Sequence, residues 1–208
     1  MSTTHHLRTP LSEPDVRSLA VGDFVYLKGE ITLCAGLPTH ERLISHLDSG
    51  AALPIDLNGA VLLHFGGYNS ESDGTFDVRY MNPTTSTRFN PYMPRLIRSL
   101  GLRVVGGKGG LDAASAQAMK EQGCVYLSFP GGACTLYTNA IREVVTVAWQ
   151  DFIFHYRLVK LRVEDLGPGT VAIDAHGNSV YDSLQSQAES RMPQILADLA
   201  ASRNERAR

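Results

Sequence analysis

Apolar positions along the chain fall into two rhythms. Continuous apolar runs at 60–65, 102–105 and 124–129 are too short for helices and end at glycine or proline. They predict strands buried on both faces. Strands are also expected at 24–27 and 30–34, with Lys28-Gly29 between them, and at 76–81, 145–149, 157–163 and 171–174. Helical spacing alternates with these runs. A first helix is expected at 13–19, with Ser12 as cap and Pro14 in its first turn. A second, at 40–49, has Thr39 as cap, Leu43, Ile44 and Leu47 as its apolar face, and Gly50 as stop. Others are expected at 91–100 (capped by Asn90, stopped by Gly101), at 113–122 (capped by Asp112, stopped by Gly123) and at 134–144. Gly66-Gly67 permits a sharp exit from a strand, and 69–74 reads as a turn. The tail from about residue 183 is helical, interrupted or restarted at Pro193.

Strand and helix alternate in the middle, and both flanks are strand-rich. That order predicts an α/β fold with a partly parallel central sheet and a smaller second β layer. No repeat or linker divides the 208 residues, so residues 1–208 read as one domain. Residues 1–6 and 204–208 are expected to be disordered.

Composition narrows the function. The chain is 43% hydrophobic and 19% charged, with a net charge of -2 and no basic run, which argues against a nucleic-acid partner. No apolar run reaches the length of a membrane span, and the first residues lack the apolar core of a signal peptide, so the cytoplasm is the expected compartment. Cys34, Cys124 and Cys134 are odd in number and form no CxxC pair, which disfavours a disulfide framework or a zinc site.

Candidate chemistry concentrates in 82–110. The loop Asn82-Pro-Thr-Thr-Ser-Thr-Arg88 can offer hydroxyl and backbone donors to an anion, with Arg88 as a carboxylate fork. The same loop reads equally as a hydroxyl-rich turn with Arg88 solvated. In Gly106-Gly107-Lys108-Gly109-Gly110, four glycines surround a cation and let backbone approach a ligand closely. The P-loop pattern fails, because no Ser or Thr follows the lysine. Pro130-Gly-Gly-Ala133 precedes a helix and reads as an anion site or, as well or better, as tight strand–helix packing. Asp174-Ala-His-Gly-Asn178 reads first as a turn and second as an Asp–His pair. Of the remaining histidines, His40 stands beside a loop and is kept as a site candidate.

These segments, in this order, resemble the β subunit of two-subunit L-tartrate dehydratases and the C-terminal domain of class I, iron–sulfur fumarases. The likeness runs over about 7–181. Its most specific part is Pro-Thr-Thr-x-x-Arg paired with Gly-Lys-Gly. The resemblance implies a swivelling β/β/α domain and reversible dehydration of a 2-hydroxy dicarboxylic acid. It implies a 4Fe-4S cluster held by an α-type subunit, with none bound by this chain. It also implies assembly as two α and two β subunits (α2β2); an isolated chain could pair as a homodimer. By motif position, Thr84 and Lys108 are expected to be catalytic. Arg88, Thr85, Lys108, His40 and Gly107 are expected to bind the small carboxylic acid substrate.

The chain departs from the family pattern at several points. The family's usual Arg-Asp-x-x-His segment, whose Arg binds a carboxylate, is here Cys34-Ala-Gly-Leu-Pro-Thr-His40. The usual Gly before Pro-Thr-Thr is Asn82, and Phe152-Ile-Phe-His155 replaces a Leu-Gly-Met-Pro run. Losing one guanidinium removes charge-assisted bonds worth about 1.5–3 kcal/mol each. The departures therefore predict a substrate altered at one end. The alternative is a non-catalytic relative that binds a small carboxylate or regulates a partner.

Overall fold

The computed structural model describes residues 2–72 and 75–206. Seven strands form the main sheet: β1 (Thr4–Arg8), β2 (Phe24–Leu33), β3 (Val61–Leu63), β6 (Val104–Gly107), β7 (Val125–Ser128), β8 (Ile141–Ala148) and β9 (Leu158–Ile173). Their order is β1-β2-β3-β6-β7-β9-β8, and β9 also pairs with β2. Strands β2, β3, β6, β7 and β9 thus close on themselves. The β1–β2, β2–β3, β3–β6 and β6–β7 pairs are parallel, while β9 runs antiparallel to β2, β7 and β8. A separate antiparallel hairpin, β4 (Phe65–Ser72) and β5 (Thr75–Pro83), forms the second β layer.

The short apolar runs explain this arrangement. Val61 and Leu63 of β3, Val104 of β6, and Val125 and Leu127 of β7 pack with Val25, Leu27 and Ile31 of β2. The alternating residues Leu62, Val105 and Tyr126 face the other way. There they meet Leu43 of α2 (Leu37–Ser49), Leu96 and Ile97 of α3 (Met93–Leu100), and Met119 of α4 (Ala113–Gln122). A strand with apolar side chains on both faces needs a core on each side, and the closed strands and the helix layer supply the two. Ser12 caps α1 (Glu13–Arg17), and Asp112 caps α4 through its bond from the Ser115 N–H.

Several boundaries differ from expectation for identifiable reasons. β2 is one strand, because Gly29 (φ 107°) lets it bulge and continue opposite β9. α2 starts at Leu37, with Pro38 in its first turn; the Thr39 hydroxyl does not cap it but donates to the Tyr156 carbonyl at 2.5 Å. Asn90 does not cap α3; its Oδ1 accepts from the Asp112 N–H, and a 3-10 turn (Ser86–Phe89) intervenes. Gly66 and Gly67 lie within β4 rather than ending a strand. Of the stretch 69–74 expected as a turn, residues 69–72 are strand, paired with β5, and residues 73 and 74 lie outside the described residues. The helix expected at 134–144 stops at Asn139 (α5, Cys134–Asn139), because the β-branched run from Val144 to Val147 pairs with β9 instead. The strands expected at 157–163 and 171–174 are parts of the single long β9. At the N-terminus, expected to be disordered, residues 4–6 belong to β1 in register with Phe24, Val25 and Tyr26. At the other end, α6 (Val180–Arg206) includes 204–206 of the expected disordered stretch and carries Pro193 within it. Residues 1, 207 and 208 lie outside the described residues.

Candidate functional site

Strands β3, β6 and β7 are parallel neighbours, so their carboxyl ends lie side by side, where open parallel sheets receive ligands. The chain leaving β5 crosses these ends. The Thr84 N–H donates to the His64 carbonyl (2.7 Å), the Lys108 N–H to the Thr84 carbonyl (3.0 Å) and the Ser86 N–H to the Lys108 carbonyl (2.8 Å). Thr85 and Lys108 therefore pair as an isolated parallel bridge. The Phe129 N–H donates to the Gly107 carbonyl (2.8 Å) and ties in the loop after β7. The hydroxyl-rich loop and the glycine–lysine loop, 23 residues apart by number at Thr85 and Lys108, are thus one hydrogen-bonded shelf.

Lys108 is half-buried, and its side chain runs over Gly131. The ammonium lies 3.5 Å from where a Gly131 Cβ would stand. Pro130-Gly131-Gly132 therefore lies within ordinary contact distance of Lys108, and the six-residue α5 behind it offers no anion site of its own. Thr84 and Thr85 are half-buried; Arg88, in the 3-10 turn, is exposed. Among the described residues no carboxylate pairs with Arg88 or Lys108. Two uncompensated cations flanking two threonine hydroxyls can hold a carboxylate.

Under the shelf lies a buried network. The Tyr126 hydroxyl donates to Ser86 Oγ (2.8 Å), and His64 Nδ1 bonds the same oxygen at 2.9 Å. Burial pushes the Tyr126 phenol up. Burial, reinforced by neighbouring His40, holds His64 well below the usual histidine range. His40, expected at the substrate, is fully buried. Its Nδ1 meets the Gly36 carbonyl at 2.7 Å, and burial lowers its pKa to about 4. Its ring stacks on Phe89, with centroids 4.0 Å apart, in the turn that carries Arg88. His40 thus packs against that turn.

Gly107 is shaped by this network. A Cβ there would overlap Ser86 Oγ and stand 3.1 Å from His64 Cβ and 3.2 Å from the Thr84 carbonyl oxygen. Gly107→Ala is expected to push the two loops apart and cost about 1–3 kcal/mol of stability, read as a lower urea midpoint with an unchanged slope.

Sequence inspection missed His64, Ser86 and Tyr126. The available signal was a lone histidine inside the apolar run 60–65. The Asp174–His176 segment is a turn. Asp174 Oδ1 accepts from the His176 and Asn178 N–H groups, and His176 Nε2 bonds the Arg17 carbonyl. Cys34 and Cys124 are buried apart from the half-buried Cys134. Among the described residues no group of three His, Cys, Asp or Glu side chains is placed to hold a metal.

Residues 2–184 match the family described as the fumarase C-terminus. The chain is 34% identical over 190 residues to a protein of Geobacillus stearothermophilus named by inference a class I fumarate hydratase; the match covers 91% of this chain and 36% of that protein. It is 30% identical over 188 residues to the L(+)-tartrate dehydratase subunit beta of Escherichia coli K12, covering 90% of this chain and 92% of the relative. A Methanocaldococcus jannaschii protein, named by inference as the same kind of subunit, is 32% identical over 187 residues, with 89% and 95% covered. The chain therefore spans about a third of the first relative and nearly all of the other two.

Proposed function

The chain belongs to the fumarase C-terminal family, and from that premise we propose that it is the β subunit of an iron–sulfur hydro-lyase that reversibly dehydrates a short 2-hydroxy acid. The observation that carries this reading is the meeting of Thr84 and Thr85 with Lys108 across the strand ends, where neither Lys108 nor Arg88 of the next turn has a carboxylate partner among the described residues. The three cysteines do not fit a cluster. Two are buried in the core with their thiols pushed up by burial, and the third, Cys134, is half-buried. The proposal therefore places the 4Fe-4S cluster on an α-type partner subunit, in an α2β2 assembly in the cytoplasm. In it this domain swivels to cover the substrate.

The part played by this chain follows from its own groups. Lys108 and Arg88 hold a substrate carboxylate. When the neighbouring carbon loses its proton, negative charge spreads onto that carboxylate, and fixed cations stabilise it more than they stabilise the ground state. The Thr84 hydroxyl lies at the shelf beside them, near the transferred proton. A threonine hydroxyl is a weak base by itself, so it relays the proton to a carboxylate of the partner or to solvent.

The test is co-expression with an α-type iron–sulfur subunit and anaerobic purification. A stable complex that interconverts a 2-hydroxy acid and its unsaturated product, with neither subunit active alone, is the expected result. Failure of the two chains to associate, or full activity of the α-type subunit alone, overturns the proposal.

A further inference from the structure

Next to Thr84 lies a wall that is polar but uncharged. In the hairpin, Gly66 of β4 stands directly opposite Asn82 of β5. Opposed residues project to the same face, with Cβ atoms about 5 Å apart. The His155 imidazole fills the space a Gly66 Cβ would take: Cε1 would overlap that atom, and Nδ1 stands 2.6 Å from it. The imidazole therefore sits on the hairpin face that Asn82 shares. Thr84, two residues beyond Asn82 on extended chain, shares that face.

The turn that carries His155 (Phe154–Tyr156) is clamped on both sides. The Thr39 hydroxyl donates to the Tyr156 carbonyl (2.5 Å), and the Tyr156 ring covers Gly36 so closely that no side chain fits there. Phe154 lies 3.3 Å from where a Gly67 Cβ would be. Arg157 Nε donates to the Phe152 carbonyl at 2.9 Å. The guanidinium missing at Gly36 has thus been replaced by a fixed aromatic turn.

Two groups on this wall lack protein partners. Asn82 Oδ1 is buried with no hydrogen bond among the described residues, and the ring of His155, an exposed residue, makes none there either. A buried acceptor without a donor calls for one from outside the protein. A carboxylate has no N–H or O–H to give, whereas a primary carboxamide has two N–H donors and a carbonyl acceptor. Partial desolvation lowers the His155 pKa, and a neutral imidazole has one N–H to donate.

We propose that Asn82 and His155 form a neutral subsite beside Thr84 that takes the primary carboxamide end of a monoamide of a short dicarboxylic acid, its carboxylate end lying at Lys108 and Arg88. This inference rests on the proposed site. The amide donates N–H to Asn82 Oδ1 and accepts from the His155 N–H.

The test measures binding of fumarate and of its monoamide, fumaramate, to the full chain by ligand-observed NMR. The monoamide is expected to bind about tenfold more tightly. Asn82→Leu should erase that preference, and His155→Arg, which puts a cation on the wall, should reverse it. Lys108→Ala should weaken both ligands. Fumarate binding as tightly as the monoamide overturns the inference. So does an affinity ratio unmoved in both Asn82→Leu and His155→Arg, provided circular dichroism shows them folded. If neither ligand binds, the proposed site falls with it. If both bind in a Lys108-dependent way at a ratio near one, only the amide subsite falls.

Discussion

Replacing Lys108 by alanine is expected to lower kcat of the assembled enzyme by about 10²–10³-fold, the usual cost of removing one donor aimed at developing negative charge. The position, more than the charge, sets the size of the effect. Lys108 leaves β6 at the carboxyl end of a parallel strand, and its backbone is fixed on both sides by Thr84 and Ser86. Its side chain passes over Gly131 at ordinary contact distance. The backbone that carries the ammonium is thus fixed before substrate arrives. Arg88 is exposed on a 3-10 turn, so it is a looser partner. Arg88→Ala should raise KM by roughly ten- to hundred-fold for each charge-assisted bond lost. The two variants together separate transition-state stabilisation from ground-state binding. Steady-state kinetics of the complex, with circular dichroism as control, make the comparison. A Lys108→Ala enzyme within a few-fold of wild type would remove this residue from the proposed machinery.

How much of this was visible in the sequence depended on range. Local signals carried well. The Ser12 and Asp112 caps and the Gly50, Gly101 and Gly123 stops all hold, because a cap answers to residues within one turn. The pairing of the two loops was also foreseeable in outline, since a hydroxyl-rich strand exit and a glycine–lysine turn need a common ligand to make sense together. What could not be read was long-range. Thr39 looks like a helix cap until Tyr156, 117 positions away, takes its hydroxyl. His40, a site candidate because it stands beside a loop, is buried with its ring stacked on Phe89. The helix expected at 134–144 was cut short because β9 offers β-branched side chains a pairing edge, a tertiary effect that outweighs local propensity. The departures at Gly36, Asn82 and 152–155 look like separate losses in the sequence. In the structure these positions meet, with Tyr156 seated on Gly36 and His155 seated on Gly66, opposite Asn82.

Acidification is expected to destabilise the fold between about pH 6.5 and pH 4, before most carboxylates titrate, and His40 and His64 are the cause. Both are fully buried and neutral. Desolvation lowers His40 from 6.5 to about 4 and His64 well below 6.5. In the unfolded chain both would titrate near 6.5. Above that value neither state carries the extra protons, and stability is complete. Below it the unfolded chain binds protons that the native state refuses, so stability falls as pH falls, and for His40 it goes on falling until the folded value is reached. For His40 alone the loss is about 3 kcal/mol over the window, and His64 adds to it. Neither ring can escape the penalty by gaining a carboxylate. His40 is bonded to the Gly36 carbonyl and lies beside Cys34, and His64 is bonded to Ser86. Urea unfolding at pH 7.5, 6.0 and 5.0 measures the slope. His40→Asn should flatten it by removing one of the two refused protons, whatever it does to stability at pH 7.5. A wild-type urea midpoint that stays constant from pH 7.5 to pH 5.0 would contradict the buried neutral pair. Because His40 packs against the Arg88 turn and His64 shares Ser86 with Tyr126, the same protonation that unfolds the chain first loosens the shelf. Activity of the complex should therefore fall on the acid side along with stability.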